Sequence, residues 1–245
     1  MTTDVSDRQW PIPTSPWIMR MRWHDLAFLH WKVDPDVLRP QIPADLEIDL
    51  HNGEAWLGVV PFRMESVAPR FVPDIPWMSA FPELNVRTYV THDNKPGVWF
   101  FSLDATNPVA VRVARSVFHL NYLDASIGLQ RRDEWIDYRS QRTHRNQPPA
   151  SLKVSYRSES EPFQAKPGTL EFFLTARYCL YAANRKGKVF RGDIDHESWK
   201  LSKCECRIED NSMTNGLGIE LNDSPDHSLM AEDIFVRCWK IKAID

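Results

Sequence analysis

One stretch of the chain carries an acid, an amide, a guanidinium and a phenol at alternating positions, a set that can bind or activate a small molecule. It runs Phe81-Pro82-Glu83-Leu84-Asn85-Val86-Arg87-Thr88-Tyr89-Val90 and is rich in β-branched and aromatic residues. Successive side chains of a β-strand point to opposite faces, so one face carries Glu83, Asn85, Arg87 and Tyr89. A core face would not carry these groups in a row. We therefore predict that this polar face lines an enclosed cavity.

Two kinds of chemistry fit these residue types. In the first, the protein binds a small organic molecule with a carboxylate or keto group: Arg87 binds the carboxylate, Asn85 and Tyr89 contact the ligand, and aromatic side chains form apolar walls. In the second, the protein is a lyase or isomerase in which Glu83 is the acid or base and Arg87 stabilises an enolate-like charge. Glu83 and Arg87 are thus the candidate catalytic residues.

A structural interpretation of the same pair stands beside these two. Glutamate and arginine four residues apart on one strand face commonly form an ion pair that fixes the register of the strand. In that case Glu83 and Arg87 neutralise each other and have no ligand to bind.

The register of a predicted hairpin decides which further residues join the polar face. The partner strand is Val98–Asp104, which follows a turn-forming connector. A register that pairs Val90 with Val98 places Asp104 on the apolar face, whereas a slip of one residue places Ser102 and Asp104 on the polar face. We favour the slipped register because it keeps the polar groups together. Ser102 and Asp104 are then ligand-binding candidates.

The remaining pattern predicts many strands and few helices. Alternation over Trp17–Trp23 continues towards Trp31 as one strand, and Asn52-Gly53 is typical of a turn between strands at 46–50 and 55–60. Asp34-Pro35 and Asn107-Pro108 are typical helix starts. The proline-containing loop 69–80 is either a lid over the cavity or a loop packed passively across the sheet. Further strands are predicted near 126–131, 135–141, 152–157, 178–182, 188–194, 200–209 and 234–241, with a helix near 170–176.

These elements predict a mainly β fold of the α+β type, in which an antiparallel β-barrel or cone is flanked by a few helices. A closed or nearly closed sheet removes the edges that so many strands would otherwise expose. We expect residues 1–16 to form an N-terminal arm and residues 17–245 to form a single domain.

Composition narrows the classes of partner. The 245 residues carry a formal net charge of −3 without a long basic run, so we expect neither nucleic acid nor a membrane as a partner. The N-terminus lacks the basic and apolar regions of a signal peptide, which predicts a cytoplasmic protein. The four cysteines lack zinc-ligand spacing, and neither dinucleotide nor phosphate-loop motifs occur. We expect no metal and no cofactor, and leave assembly into a homo-oligomer open.

Several segments together resemble the uncharacterised YqjF-like family. The resemblance runs from about residue 15 over nearly the whole chain, and the segment Glu83–Tyr89 is its most specific part. The residues that carry it are Trp23–Trp31, Asn52–Trp56, Val60–Arg63, Phe81–Val90, Gly97–Ala105 and Arg177–Tyr181.

The resemblance implies a distant relationship to acetoacetate decarboxylase, and with it the barrel or cone fold and an interior pocket. It also implies that Glu83 matches a substrate-positioning glutamate and that His196 and Trp199 form the family's His-x-x-Trp element. In acetoacetate decarboxylase a buried lysine forms a Schiff base with the keto substrate. Here no lysine lies between Lys95 and Lys153, and arginine cannot replace it. The sequence therefore predicts that Schiff-base decarboxylation is not the reaction.

Overall fold

The structure is a computed structural model that describes residues 7–244, without the side chains of Pro76 and Trp77. Strands make up most of the regular structure. They are β1 (Met19–Val33), β2 (Glu47–Ile48), β3 (Ala55–Pro69), β4 (Phe81–His92), β5 (Lys95–Ala105), β6 (Tyr122–Arg132), β7 (Trp135–Arg142), β8 (Ser151–Ser158), β9 (Cys179–Ala183), β10 (Val189–His196), β11 (Leu201–Asn211), β12 (His227–Cys238) and β13 (Lys242–Ala243).

The helices are short, and two of them begin as the sequence predicts. They are α1 (Pro35–Leu38), α2 (Pro76–Ser79), α3 (Pro108–Val117) and α4 (Leu170–Thr175). Asp34 caps α1 and Asn107 caps α3, each followed by proline at the first helical position. The predicted helix near 170–176 is α4, which Thr169 caps.

The thirteen strands belong to one sheet that closes on itself like a ring. From β4 the ring passes through β3, β1, β12, β11, β8, β7 and β6 and returns to β4 through β5. Two strands each pair with two different neighbours along one edge. β5 pairs with β9 at Val98–Trp99 and with β6 at Leu103–Ala105. β12 pairs likewise with β11 in its first half and with β10 in its second half. The mainly β, closed-sheet fold is therefore confirmed.

The β4–β5 hairpin is also confirmed, but its register changes partway along. From the turn at Asp93-Asn94 as far as Arg87 opposite Phe100, the strands pair in the slipped register that we favoured. Phe101 then forms a bulge, and beyond it the other register holds, with Asp104 opposite Leu84. A bulge adds one residue to one strand and so reverses the facing of everything after it. The prediction that Ser102 and Asp104 lie on the polar face is therefore wrong.

Two further expectations about local structure need correction. The segment 46–50 contributes only β2, which pairs with β4 instead of β3; the Asn52-Gly53 turn is closed by a single bridge between His51 and Glu54. The loop 69–80 contains α2, and its polar contacts run to Ile18 and Arg20 near the start of β1 and to Asn107 at the start of α3. Along residues 7–244, no helix has the length and apolar character needed to cross a bilayer.

Candidate functional site

The polar face of β4 forms one side of a three-strand floor whose middle strand is β3. Gly58 of β3 pairs with His30 of β1 on one side and with Arg87 of β4 on the other. A β-carbon added at Gly58 would lie 3.1 Å from His30 Nε2 and 3.5 Å from Arg87 Cγ. Glycine within a strand often marks such a close approach. The missing side chain therefore leaves the space in which His30 and Arg87 meet.

Arg87 has no carboxylate partner among the residues that the structure describes. Its Nη2 donates long hydrogen bonds to the Tyr89 hydroxyl (3.4 Å) and to the Leu174 carbonyl (3.3 Å), while its buried Nε has no acceptor. The guanidinium carbon lies 5.4 Å from the Phe28 ring centroid, within range of a cation–π contact. The predicted structural ion pair with Glu83 does not form, because four residues of a strand span about 13 Å.

Four other covered arginines have acidic partners: Arg8 pairs with Asp193, Arg142 with Asp104, Arg177 with Asp49, and Arg237 with Asp195. Among the described residues, half-buried Arg39 and Arg115 donate to backbone carbonyls instead, and the buried Nε of Arg70 has no acceptor. A cation that is partly removed from water normally needs such a partner. Arg87 is therefore set up to receive an anion that the chain itself does not supply.

Tyr89 and His30 form a short hydrogen bond beside Arg87. The Tyr89 hydroxyl lies 2.5 Å from His30 Nε2, and both residues are fully buried. Because the hydroxyl oxygen accepts from Arg87, its proton is free to be donated to His30 Nε2. Burial, followed by the nearby Arg87 charge, lowers the pKa of His30 well below its usual value, so the imidazole is neutral at pH 7.

Glu83 is held as a neutral acid at pH 7. Its carboxylate oxygen accepts a 2.8 Å hydrogen bond from the Tyr122 hydroxyl, and its side chain is only 1 % exposed. The pKa of Glu83 is raised to about 8: burial raises it most, the Tyr122 hydrogen bond lowers it, and the Asp104 charge adds a smaller increase. A carboxyl group with such a pKa is mostly protonated at neutral pH and serves better as an acid than as a base.

Asn85 sits between Glu83 and Arg87 with its amide unused. The residue is 5 % exposed, and its buried Oδ1 has no hydrogen-bond partner among the described residues. Buried polar atoms are usually paired, so an unpaired one at a candidate site points to a group supplied from outside.

Helix α4 and the segment before β11 cover the polar row. The Leu174 carbonyl of α4 accepts from Arg87, and the neighbouring Thr175 carbonyl accepts from Trp199 Nε1 at 3.0 Å. Trp199 also packs edge-on against Phe28, with ring centroids 5.2 Å apart. The covering element is thus α4, and the lid function that we considered for loop 69–80 has no contact to support it.

His196 lies in the same covering segment and contacts Trp199. Its ring centroid is 5.1 Å from that of Trp199 and 4.5 Å from that of Tyr178, on which it stacks. His196 Nδ1 lies 2.7 Å from the Glu197 carbonyl. Burial lowers the pKa of His196, so this histidine is a neutral packing residue at pH 7.

Ser102 and Asp104 lie on the opposite face of the sheet, where both contact Arg142. Arg142 of β7 forms a bidentate salt bridge with the Asp104 carboxylate, with distances of 2.7 and 2.9 Å, and also donates to Ser102 Oγ at 3.0 Å. The Asp104 side chain is fully buried and that of Arg142 is 7 % exposed. These two candidates therefore belong to a buried ion pair and are removed from the predicted ligand contacts.

The structure thus brings six of the eight predicted residues to one region: Glu83, Asn85, Arg87, Tyr89, His196 and Trp199. The sequence interpretation missed His30, Gly58 and Tyr122. A histidine on an apolar strand and a glycine inside the next strand were visible signals, but only the strand pairing shows that they face Arg87.

No metal site accompanies this region. Within residues 7–244 no group of three or more histidine, cysteine, aspartate or glutamate side chains is arranged to hold a metal ion. One cavity of about 440 Å³ lies between Trp31–Val37 and Gly218–Asn222, and one of about 340 Å³ lies beside residues 8–12. Glu83, Asn85 and Tyr89 of the polar row are buried.

Sequence comparison gives the family. The model of DUF2071, described as "Uncharacterized conserved protein", matches residues 20–234. The chain belongs to this family. The uncharacterized protein YqjF of Bacillus subtilis is 40% identical to it over 242 residues, which is 99% of each chain. The predicted YqjF-like membership is confirmed.

Solved structures show that this DUF2071 chain has the acetoacetate decarboxylase fold. Acetoacetate decarboxylase from Legionella pneumophila matches with a TM-score of 0.65 at 12% identity and covers 98% of this chain and 94% of its own. The enduracididine biosynthesis enzyme MppR complexed with pyruvate matches with a TM-score of 0.65 at 10% identity and covers 97% and 93%. At such identities the likeness establishes the fold alone.

Proposed function

We propose that this protein binds a small organic acid on the polar row of β4, with the ligand's carboxylate paired to Arg87. The observation that carries the proposal is the Arg87 guanidinium, covered by α4 and without an acidic partner among the described residues. An arginine guanidinium can bind a carboxylate through two parallel hydrogen bonds, and this interaction is stronger where water is excluded.

The rest of the row suits the remainder of such a ligand. The unpaired Asn85 Oδ1 can accept a hydrogen bond from a ligand hydroxyl, and neutral Glu83 adds no repulsive charge at pH 7. Phe28 and Trp199 provide apolar walls. These contacts support a short keto or hydroxy acid in preference to a neutral or cationic compound.

A thermal-shift assay with pyruvate, acetoacetate and benzoate tests the proposal. We expect at least one acid to raise the melting temperature by several degrees at concentrations about a hundredfold above its Kd. Arg87→Met should remove that shift because the carboxylate then loses the cation with which it pairs. The free Arg87→Met protein should be at least as stable as the wild type, since the substitution removes a covered charge that has no partner.

Matched controls separate this site from general effects. Ser102→Ala changes the opposite face of the sheet and should keep the wild-type ligand response. Acetone, which lacks the carboxylate of acetoacetate, should give no shift. If every acid fails with the wild type, or if Arg87→Met responds as the wild type does, the proposal is wrong.

A second candidate function is an enzyme of lyase or isomerase type with Glu83 as the acid–base residue. The observation that favours it is the pKa of about 8 that burial gives Glu83, because perturbed acids cluster at active sites. In this form Glu83 would donate a proton at neutral pH. Turnover that is unchanged in Glu83→Gln would remove Glu83 from that function.

We also expect no Schiff base at this site. Each lysine of the chain is exposed or half-exposed, and none has a recorded contact with the polar row. No lysine amine is therefore placed to attack a keto group bound at the polar row. Borohydride added with acetoacetate should therefore trap no adduct beyond the level found without acetoacetate. Mass spectrometry that shows one stoichiometrically modified lysine would restore a decarboxylase-like mechanism.

A further inference from the structure

The Tyr89–His30 pair lies next to the proposed anion site and is arranged to accept a proton. Tyr89 OH and His30 Nε2 are 2.5 Å apart, and the same hydroxyl oxygen contacts Arg87 Nη2 at 3.4 Å. Both residues are fully buried, and the two rings are 5.8 Å apart. A phenol whose proton can pass to a neutral imidazole is a base, and the adjacent guanidinium stabilises negative charge.

We propose that Tyr89, backed by His30, removes a proton from the carbon next to the keto group of an acid bound at Arg87. This inference rests on the proposed function, because Arg87 must first hold the carboxylate. It assigns the base to a pair that the sequence interpretation did not consider together, in place of Glu83.

The step balances without any other reactant. The carbon–hydrogen bond breaks and an oxygen–hydrogen bond forms on Tyr89 while the original phenolic proton passes to His30 Nε2. The electron pair of the broken bond becomes part of an enolate, and the charge that develops on the former keto oxygen lies near Arg87. Reversal returns a proton, or in heavy water a deuteron, to carbon. The catalysed reaction is therefore enolisation, seen as hydrogen–deuterium exchange.

The surroundings of the pair fit this function. His30 is neutral at pH 7, which leaves Nε2 free to accept the proton. Its charged and titratable neighbours are Arg87 on β4 and His227 on β12, and His227 also lies 3.3 Å from Glu171 of α4. A β-carbon at position 58 would meet His30 Nε2, so Gly58 keeps the proton-accepting nitrogen accessible within the site.

Exchange of the pyruvate methyl protons in heavy water, followed by proton NMR, tests the proposal at pH 7. We expect wild-type protein to exchange them well above the rate in buffer, and Tyr89→Phe to slow that exchange by about a hundredfold or more. His30→Gln is the second variant and should slow exchange in the same way. Tyr156→Phe removes an equally buried hydroxyl that donates to the Asp25 carbonyl, and should exchange at the wild-type rate.

The thermal shift with pyruvate, measured on the same samples, distinguishes the two proposals. A shift without exchange in the wild type overturns the enolisation step and leaves binding intact, whereas no exchange together with no shift from pyruvate, acetoacetate or benzoate overturns both. If Tyr89→Phe and His30→Gln keep the shift and the wild-type exchange rate, Tyr89 and His30 are packing residues only. If Glu83→Gln alone abolishes exchange, the base is Glu83.

Discussion

Arg142→Met should lower the free energy of unfolding by about 3–5 kcal/mol, the largest effect that we expect from any single substitution. Arg142 neutralises the fully buried Asp104 carboxylate with two hydrogen bonds and also donates to Ser102. Without Arg142, Asp104 keeps its charge in the core with no cation, or takes up a proton at a comparable cost. Urea unfolding followed by fluorescence measures the change.

Two further variants show whether burial is the cause. Arg112→Met breaks an ion pair of the same length, 2.7 Å to Asp124, but the Arg112 side chain is 57 % exposed, so the expected loss of stability is small. The double variant Asp104→Leu with Arg142→Met carries no buried charge and should recover much of the lost stability. A double variant as unstable as the sum of the two single variants would contradict this account.

Stability should fall by about 1–2 kcal/mol between pH 6.5 and pH 8 because of Glu83. In the folded protein burial raises the pKa of Glu83 to about 8, whereas the unfolded chain releases this proton near pH 4.5. Over the interval between those values the folded state binds more protons than the unfolded state, so each rise in pH favours unfolding. The contribution of neutral Glu83 is complete below pH 4.5 and is lost as pH rises towards 8.

The window must start at pH 6.5 because the buried histidines act in the opposite direction. Burial lowers the pKa of His24, His30 and His196, so below pH 6.5 the unfolded state binds more protons and stability rises with pH. Glu83→Gln should flatten the decline above pH 6.5. The exposed Glu232→Gln is the control and should decline as the wild type does. An unchanged slope in Glu83→Gln would show that Glu83 is ionised at neutral pH.

The sequence was a good guide to the strands and to the polar row because both depend on local periodicity. Alternation along 81–90 gave the facing of Glu83 and Arg87, and the Asn107-Pro108 pair gave the start of α3. It was a poor guide to Ser102 and Asp104 because a bulge at Phe101 reverses their facing. The local sequence does not predict that bulge. Arg142, which pairs with Asp104 on the face where Asp104 is observed, lies on a strand that is distant in the sequence.

The same reason explains why His30 and Gly58 were missed. Each is unremarkable on its own strand, and each becomes part of the site only when β1, β3 and β4 lie side by side. Helix α4 was predicted, but its position over Arg87 depends on the pairing of β5 with two different neighbours, which tertiary packing sets.

The pairing of β1 with β12 has a consequence for biosynthesis, because the chain is synthesised from its N-terminus. Of the strands within residues 7–244, β1 comes earliest in the sequence, and it pairs along one edge with the much later β12, with Met19 opposite Cys238. Until residues through 238 have emerged, that edge, which includes the backbone of His30, presents unpaired amide and carbonyl groups to other chains. The edge of β1 therefore stays open while the strands between β1 and β12 are synthesised, and pairing with β12 closes it.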